Sequence, residues 1–321
     1  MEYLLMLLGF VLLIKGADWL VNGAKDIAAR FGISELIIGL TIVSIGTSLP
    51  ELIVSVIASI EGNSGLATGN VFGSNIANIL LILGATAIIC DLPVHRNTLL
   101  SELPFSLAAA LLIGFLANSA LGYEPEKELS ISRGDGLIIL FFFFLFTIYI
   151  LLITREDKKK ASKAGQVSKN SFGKNGFLVA CGAAGLFLGG KWVVDGAVYI
   201  AGLFGMSETM IGLTVVALGT SLPELVTSIR AAMQKNTEIA VGNAIGSNIF
   251  NLLWVLGICA VIRPLPFNVA SNADILVVIA STCLIFLVLM LGGGRLVIKK
   301  GEGLVLLLAY LAYLIFVIKR G

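Results

Sequence analysis

Residues 16–52 read GADWLVNGAKDIAARFGISELIIGLTIVSIGTSLPEL, and residues 189–225 read GGKWVVDGAVYIAGLFGMSETMIGLTVVALGTSLPEL. The two align without a gap. At the same offset the match runs on through ATGNVFGSNIANILLILG (67–84) and AVGNAIGSNIFNLLWVLG (240–257). Roughly half of the aligned positions are identical, so the gene contains a duplication.

Outward from the copies, the chain divides into apolar segments of about 20 residues, the length that crosses a bilayer core. They run near 3–22, 36–60, 67–89, 98–117, 136–153, 176–197, 209–231, 239–262, 274–291 and 303–318. Ten such segments predict an all-α polytopic membrane protein. The second copy begins five spans after the first, an odd number, so it enters the membrane upside down. The expected organisation is a first five-helix repeat (1–153), a basic linker (154–175) and a second, inverted five-helix repeat (176–321). Secondary transporters are built this way, with binding at the midplane where the repeats meet.

Composition agrees. The 321 residues are 57% hydrophobic and 13% charged, where a soluble domain carries about 25% charge. A mean hydropathy of +0.99 leaves too few polar residues to coat a soluble fold. Disorder, nucleic-acid binding and a disulfide scaffold are excluded on the same ground. Cys90, Cys181, Cys259 and Cys283 are scattered through apolar stretches with no CxxC pair, and read as buried thiols. Glu2 stands where a signal peptide has its basic region, and no small-residue cleavage site follows, so the first stretch is expected to stay as a helix.

Lys and Arg set the orientation. Lys25, Arg30, Arg96, Arg155, Lys158, Lys159, Lys160, Lys163, Lys169, Lys174, Arg230, Lys235, Arg295, Lys299 and Lys300 fall on the side of the linker. The other side holds only Lys127, Arg133, Arg263, Lys319 and Arg320. The linker is therefore expected in the cytoplasm as a solvated tether, with both termini outside. Its shortness, without a regulatory domain, suits a prokaryotic plasma membrane.

The best-matching stretch is also the most polar part of the spans: Gly46-Thr47-Ser48-Leu49-Pro50-Glu51 and Gly219-Thr220-Ser221-Leu222-Pro223-Glu224. A carboxylate at mid-helix depth costs at least about 2.5–3.5 kcal/mol on insertion scales, so Glu51 and Glu224 need a partner, a cavity or an ion. Each proline removes a backbone donor, freeing a carbonyl near Ile45–Gly46 or Leu218–Gly219. Thr47, Ser48, Thr220 and Ser221 add hydroxyls beside them. The next helix of each repeat supplies Gly-Ser-Asn-x-x-Asn, giving Ser74, Asn75 and Asn78, then Ser247, Asn248 and Asn251. This set is all oxygen, and the sole histidine, His95, lies in a loop. Hard cations such as Ca²⁺ or Na⁺ fit it, whereas Zn²⁺ or Cu⁺ do not. Two carboxylates balance one Ca²⁺, and several Na⁺ ions can occupy the same oxygens, so competition for one ligand set gives exchange its simplest basis. Asp18 and Lys191, like Asn22 and Asp195, occupy equivalent repeat positions near helix ends, where snorkelling to the interface accounts for them; Lys15 does the same or pairs with Asp18.

The paired GTSLPE motifs with downstream GNxxGSNxxN resemble the two α-repeats of the sodium/calcium exchanger family, of prokaryotic type, within the cation/Ca²⁺ antiporter superfamily. The resemblance covers essentially the whole chain. It implies ten helices, a cluster of ion sites at mid-membrane and countertransport of Na⁺ and Ca²⁺. Glu51 and Glu224 then correspond to the principal Ca²⁺ ligands, completed by backbone oxygens of Thr47 and Thr220. Ser48, Ser74, Ser221 and Ser247 correspond to Na⁺-site hydroxyls, Ser44 and Ala217 to carbonyl donors, and Asn78 and Asn251 to the central positions of the third and eighth spans. Potassium-dependent relatives carry Asp where this chain has Asn251, so K⁺ is not expected to be co-transported. Proton-coupled relatives carry a GNxxE-type acid, which GNVFG and GNAIG lack. A Ca²⁺/H⁺ antiporter remains the alternative, followed by a passive cation channel. An intramembrane hydrolase is disfavoured, since there is no H-E-x-x-H motif and no nucleophile with a His base. No enzyme activity, resident cofactor or nucleic-acid partner is expected; Ca²⁺ and Na⁺ enter as substrates and lipid as the surroundings.

Overall fold

A computed structural model describes residues 2–119, 129–164, 172–203, 217–291 and 296–320. The helices are α1 (Glu2–Phe31), α2 (Glu35–Thr47), α3 (Leu49–Glu61), α4 (Ser64–Ile89), α5 (Thr98–Ala117), α6 (Arg133–Ala164), α7 (Phe172–Leu203), α8 (Ala217–Thr220), α9 (Leu222–Met233), α10 (Thr237–Ile262), α11 (Asn272–Leu291) and α12 (Lys300–Arg320). Among the described residues eight helices are long and apolar enough to cross a membrane, or nine with the bent pair α2–α3. Helices α8 and α9 carry the second half of the span expected at 209–231, whose first part (209–216) lies outside the described residues. The expected linker is helical at both ends: α6 continues through the basic run Lys158–Lys160 to Ala164, and α7 begins at Phe172. Its middle, 165–171, lies outside the described residues.

Helices α1 and α7 form a long antiparallel pair. Gly9 meets Gly189, Gly16 meets Gly182 and Gly23 meets Asn175, with backbone atoms so close that a Cβ at Gly16 would stand 2.8 Å from Leu186 N. Small residues permit this approach where lipid offers no hydrophobic drive for association. The Gly23–Asn175 contact also fixes the Gly23 end of α1 on the side of the linker.

The second span breaks at Ser48, and the axes of α2 and α3 differ by 48°. Pro50 sits at the start of α3 without an N–H for the carbonyl of Gly46, which stops α2 from running on. The same break falls at Ser221 before Pro223. At their far ends, α3 closes on Gly62 with φ 84° and α9 passes into Lys235 with φ 64°, a left-handed turn at equivalent repeat positions. Helices α4 and α10 each contain one widened π turn, Ala77–Ile82 and Phe250–Val255, again equivalent. These two helices are the core: 72% and 78% of an 18-residue apolar stretch in each is buried, against 22% for α6 and α12. The exposed apolar side chains of the outer helices, among them Phe115, Phe141, Phe144 and Leu308, make the lipid-facing surface.

Two short antiparallel ladders join the repeats reciprocally. β1 (Leu92–Pro93) of the first repeat pairs with β4 (Val297–Ile298) of the second, and β2 (Ser130–Ile131) of the first with β3 (Leu265–Pro266) of the second. This cross-pairing is what a pseudo-two-fold axis between inverted halves produces.

Candidate functional site

The broken spans place Glu51 and Glu224 in the first turns of α3 and α9, both with no exposed surface. Each carboxylate is held by a hydroxyl from the other repeat. Ser48 Oγ donates to Glu224 Oε1 at 2.8 Å, and Ser221 Oγ to Glu51 Oε1 at 3.4 Å. Two asparagines clamp the arrangement. Asn70 Nδ2 donates to Ser55 Oγ (2.9 Å) and to the Glu51 carbonyl (3.3 Å), while its Oδ1 accepts from Thr220 Oγ1 (3.2 Å). Asn243 does the same with Ser228 Oγ (3.0 Å), the Glu224 carbonyl (3.3 Å) and Thr47 Oγ1 (3.0 Å). Bond for bond, one half of the cluster repeats the other.

Below the clamps the π turns bring further amides inward, a placement π turns often take at functional sites. Asn78 Nδ2 donates to Asn248 Oδ1 at 3.0 Å, and Asn251 Nδ2 to Ser74 Oγ at 3.3 Å. Ser74 Oγ also donates to the Asn70 carbonyl at 2.7 Å, and Asn75 Nδ2 to the Val71 carbonyl at 2.6 Å. Here the two-fold relation relaxes, because Asn78 and Asn251 take different partners.

What these bonds leave over defines the chemistry. Glu51 Oε2, Glu224 Oε2, Asn75 Oδ1, Asn78 Oδ1 and Asn251 Oδ1 are buried without a hydrogen-bond partner, as is Ser247 Oγ. Apart from the serine, they are amide oxygens, which only accept, and carboxyl oxygens, which only accept when ionised. A buried acceptor left unmatched costs about 1–3 kcal/mol, more if charged. Most of the side-chain donors around them are already engaged with other oxygens, and a cation is one species that oxygens of this kind accept.

The sequence-predicted residues Glu51, Glu224, Thr47, Thr220, Ser48, Ser221, Ser74, Ser247, Asn78 and Asn251 thus fall in the buried centre of the two repeats. Ser44 stands one turn before Thr47, and its carbonyl accepts from Ser48 N (3.0 Å) and Thr47 Oγ1 (3.2 Å). Ala217 opens α8. Sequence reasoning missed the clamps Asn70 and Asn243 and their partners Ser55 and Ser228. The signal was available, since all four are identical between the copies and polar inside a span. The expectation for Asp18 is corrected: its carboxylate pairs not with Lys15 but with Arg230 (2.6 Å) and Gln234 (3.0 Å) of the second repeat.

An inverted-repeat bundle with buried carboxylate, amide and hydroxyl oxygens at its centre is a construction that suits a membrane cation carrier. The family described as sodium/calcium exchanger protein matches residues 1–152 and 174–319. Sodium/calcium exchanger MaX1 of Methanosarcina acetivorans is 34% identical over 343 residues, covering 98% of this chain and 97% of its own. Inner membrane protein YrbG of Escherichia coli is 39% identical over 269 residues, 81% of this chain and 79% of its own. The solved structure of the sodium-calcium exchanger NCX_Mj soaked with 10 mM Na⁺ and zero Ca²⁺ superposes with a TM-score of 0.80 at 32% identity, covering 97% of both chains. This chain belongs to the sodium/calcium exchanger family: an integral membrane protein of ten helices in two inverted repeats.

Proposed function

We propose that the chain exchanges Na⁺ for Ca²⁺ across a prokaryotic plasma membrane by alternating access, with both ions competing for the oxygens of Glu51, Glu224 and the hydroxyls, amides and carbonyls around them. The single observation that carries this reading is the set of buried acceptor oxygens led by Glu51 Oε2 and Glu224 Oε2. Support comes also from relatives whose names state sodium/calcium exchange. Glu51 and Glu224 serve as the Ca²⁺ ligands, with Thr47 and Thr220 backbone oxygens; Ser48, Ser74, Ser221 and Ser247 serve Na⁺; Ser44, Ala217, Asn78 and Asn251 complete the shell. One Ca²⁺ or several Na⁺ neutralise the charge of −2. The empty site keeps that charge, and carrying it past lipid is costly, so the carrier reorients only when loaded. That prohibition enforces coupling. Helices α1 and α7, packed on each other through their glycines, slide against the core of broken helices. The linker lies in the cytoplasm and both termini outside. The carrier makes and breaks no covalent bond, and with Asn251 in place of a third carboxylate it does not use K⁺.

The test is radioactive Ca²⁺ uptake into proteoliposomes loaded with Na⁺, without K⁺ and at equal pH on both sides. Uptake should vanish when internal Na⁺ is replaced by choline. It should also vanish in Glu51→Gln and Glu224→Gln while both variants remain folded. Normal exchange by either variant, or uptake driven by a pH gradient and indifferent to Na⁺, would overturn the reading.

A further inference from the structure

Around the carboxylates the two halves match bond for bond, but between the outer helices and the core they do not. On the linker side α1 is fastened to α9. Arg230 Nε and Nη2 lie 2.8 Å and 2.6 Å from Asp18 Oδ1, and Gln234 Nε2 adds a third bond at 3.0 Å. Two turns on, Lys25 Nζ donates to Asn236 Oδ1 at 2.9 Å. Beneath this fastening the interface is shut, with Ala17, Val21 and Thr227 fully buried.

The equivalent place on the opposite side is open. The counterparts of Asp18, Arg230 and Gln234 are Lys191, Ile57 and Glu61. No ion pair joins Lys191 and Glu61 in this arrangement, and both side chains are exposed. Between α7 and the start of α3 lies a cavity of about 300 Å³ lined by Val54, Lys191, Val194, Asp195, Gly219 and Thr220 among others. Gly219 and Thr220 of the ligand-bearing span line it on one side, with Val194 of α7 packed against Gly219. Val54 and Val194, counterparts of the buried Thr227 and Val21, are half-exposed there.

We propose that these two charge clusters are alternating latches for the exchange cycle. Asp18 with Arg230 and Gln234 holds the linker side closed while the opposite side is open. When α7 closes on α3, the two-fold relation brings Lys191 and Glu61 to the separation that Asp18 and Gln234 have now, within hydrogen-bond reach. The latch residues touch no ion; they position the outer helices and set which face the site opens to. The two latches differ in strength, because the linker-side pair is a two-nitrogen guanidinium contact backed by an amide, whereas Lys191–Glu61 is a single ammonium–carboxylate pair at an exposed rim. The resting carrier therefore faces away from the linker.

The inference rests on the alternating-access reading, but its test needs no ion flux. In the full chain with Cys90, Cys181, Cys259 and Cys283 replaced, Val194→Cys and Val21→Cys are introduced separately and labelled with a soluble maleimide. Val194→Cys should react fast and Val21→Cys slowly. Adding Asp18→Asn or Arg230→Gln should raise Val21→Cys labelling and lower Val194→Cys labelling, shifting their ratio by about three- to tenfold for a part-buried charged contact. Glu61→Gln or Lys191→Gln should shift the ratio the other way. Exchanging the charges, Asp18→Arg with Arg230→Asp, should restore the original ratio. An unchanged ratio in both linker-side variants overturns the latches, as does a shift of the same sign from both clusters. A parallel rise at both positions reports loosened structure and overturns them too. Loss of Na⁺-dependent uptake by the unmodified chain would instead count against the exchange reading.

Discussion

Asn243→Ala removes one side chain that ties three parts of the site together. Its bonds to Ser228 Oγ (3.0 Å), the Glu224 carbonyl (3.3 Å) and Thr47 Oγ1 (3.0 Å) all cross between helices. Interhelical polar contacts in membrane proteins average about 0.6 kcal/mol each, so three give about 2 kcal/mol. Thr47 loses least, because its hydroxyl keeps the Ser44 carbonyl as an acceptor at 3.2 Å. If all of this energy serves the ion-bound geometry, the loss corresponds to about a 30-fold weaker interaction, at 1.4 kcal/mol per tenfold. The KM for Ca²⁺ in Na⁺-loaded proteoliposomes should therefore rise by about tenfold or more, with a lowered unfolding temperature in detergent. Asn70→Ala removes the matching bonds to Ser55, Glu51 and Thr220 and should behave alike. A KM within twofold of the unmodified chain, or a tenfold disparity between the two variants, would refute the view of a symmetric clamp.

Gly16→Ala should destabilise the chain by about 1–3 kcal/mol through overpacking, since its Cβ would meet Leu186 N at 2.8 Å and Gly182 O at 2.9 Å; thermal unfolding checks this, and an unchanged midpoint would mean the α1–α7 contact is slack. Tyr149→Phe deletes the one hydrogen bond that the buried Glu102 carboxyl makes among the described residues, 2.5 Å long with Oε2 already unmatched. It should cost about 1–3 kcal/mol, and Glu102→Leu added to it should recover part of the loss. Lys235→Gly should raise stability by about 1 kcal/mol, because Lys235 occupies the left-handed turn that Gly62 fills in the first repeat and an L side chain is strained there. A lowered unfolding temperature would show that the Lys235 side chain matters more than its backbone.

Glu51 and Glu224 could be read from the chain alone because a carboxylate inside a span has few physical excuses, and both copies keep it beside a proline and two hydroxyls. The asparagines were harder. Asn70 and Asn243 are as polar and as deeply placed as Asn78 and Asn251, yet whether an amide ends as ligand or clamp depends on what its NH₂ group faces, and that partner comes from another helix. Ser48 and Ser221 show the same limit, since each serves the carboxylate of the opposite repeat. Asp18 was misread for a related reason: its partner lies 212 residues away, beyond any local pattern.

Periodicity, the duplication and the odd number of spans between the copies determined the helical class, the inverted repeat and the oxygen chemistry, because each follows from residue type and spacing under the cost of burying polar groups in lipid. Tertiary structure alone decided how the copies cross: hydroxyls of one repeat on carboxylates of the other, ladders paired reciprocally, and one interface latched while its counterpart stands open. Two halves alike in sequence specify equivalent interfaces, and whether these are occupied alike depends on contacts between residues distant in the chain.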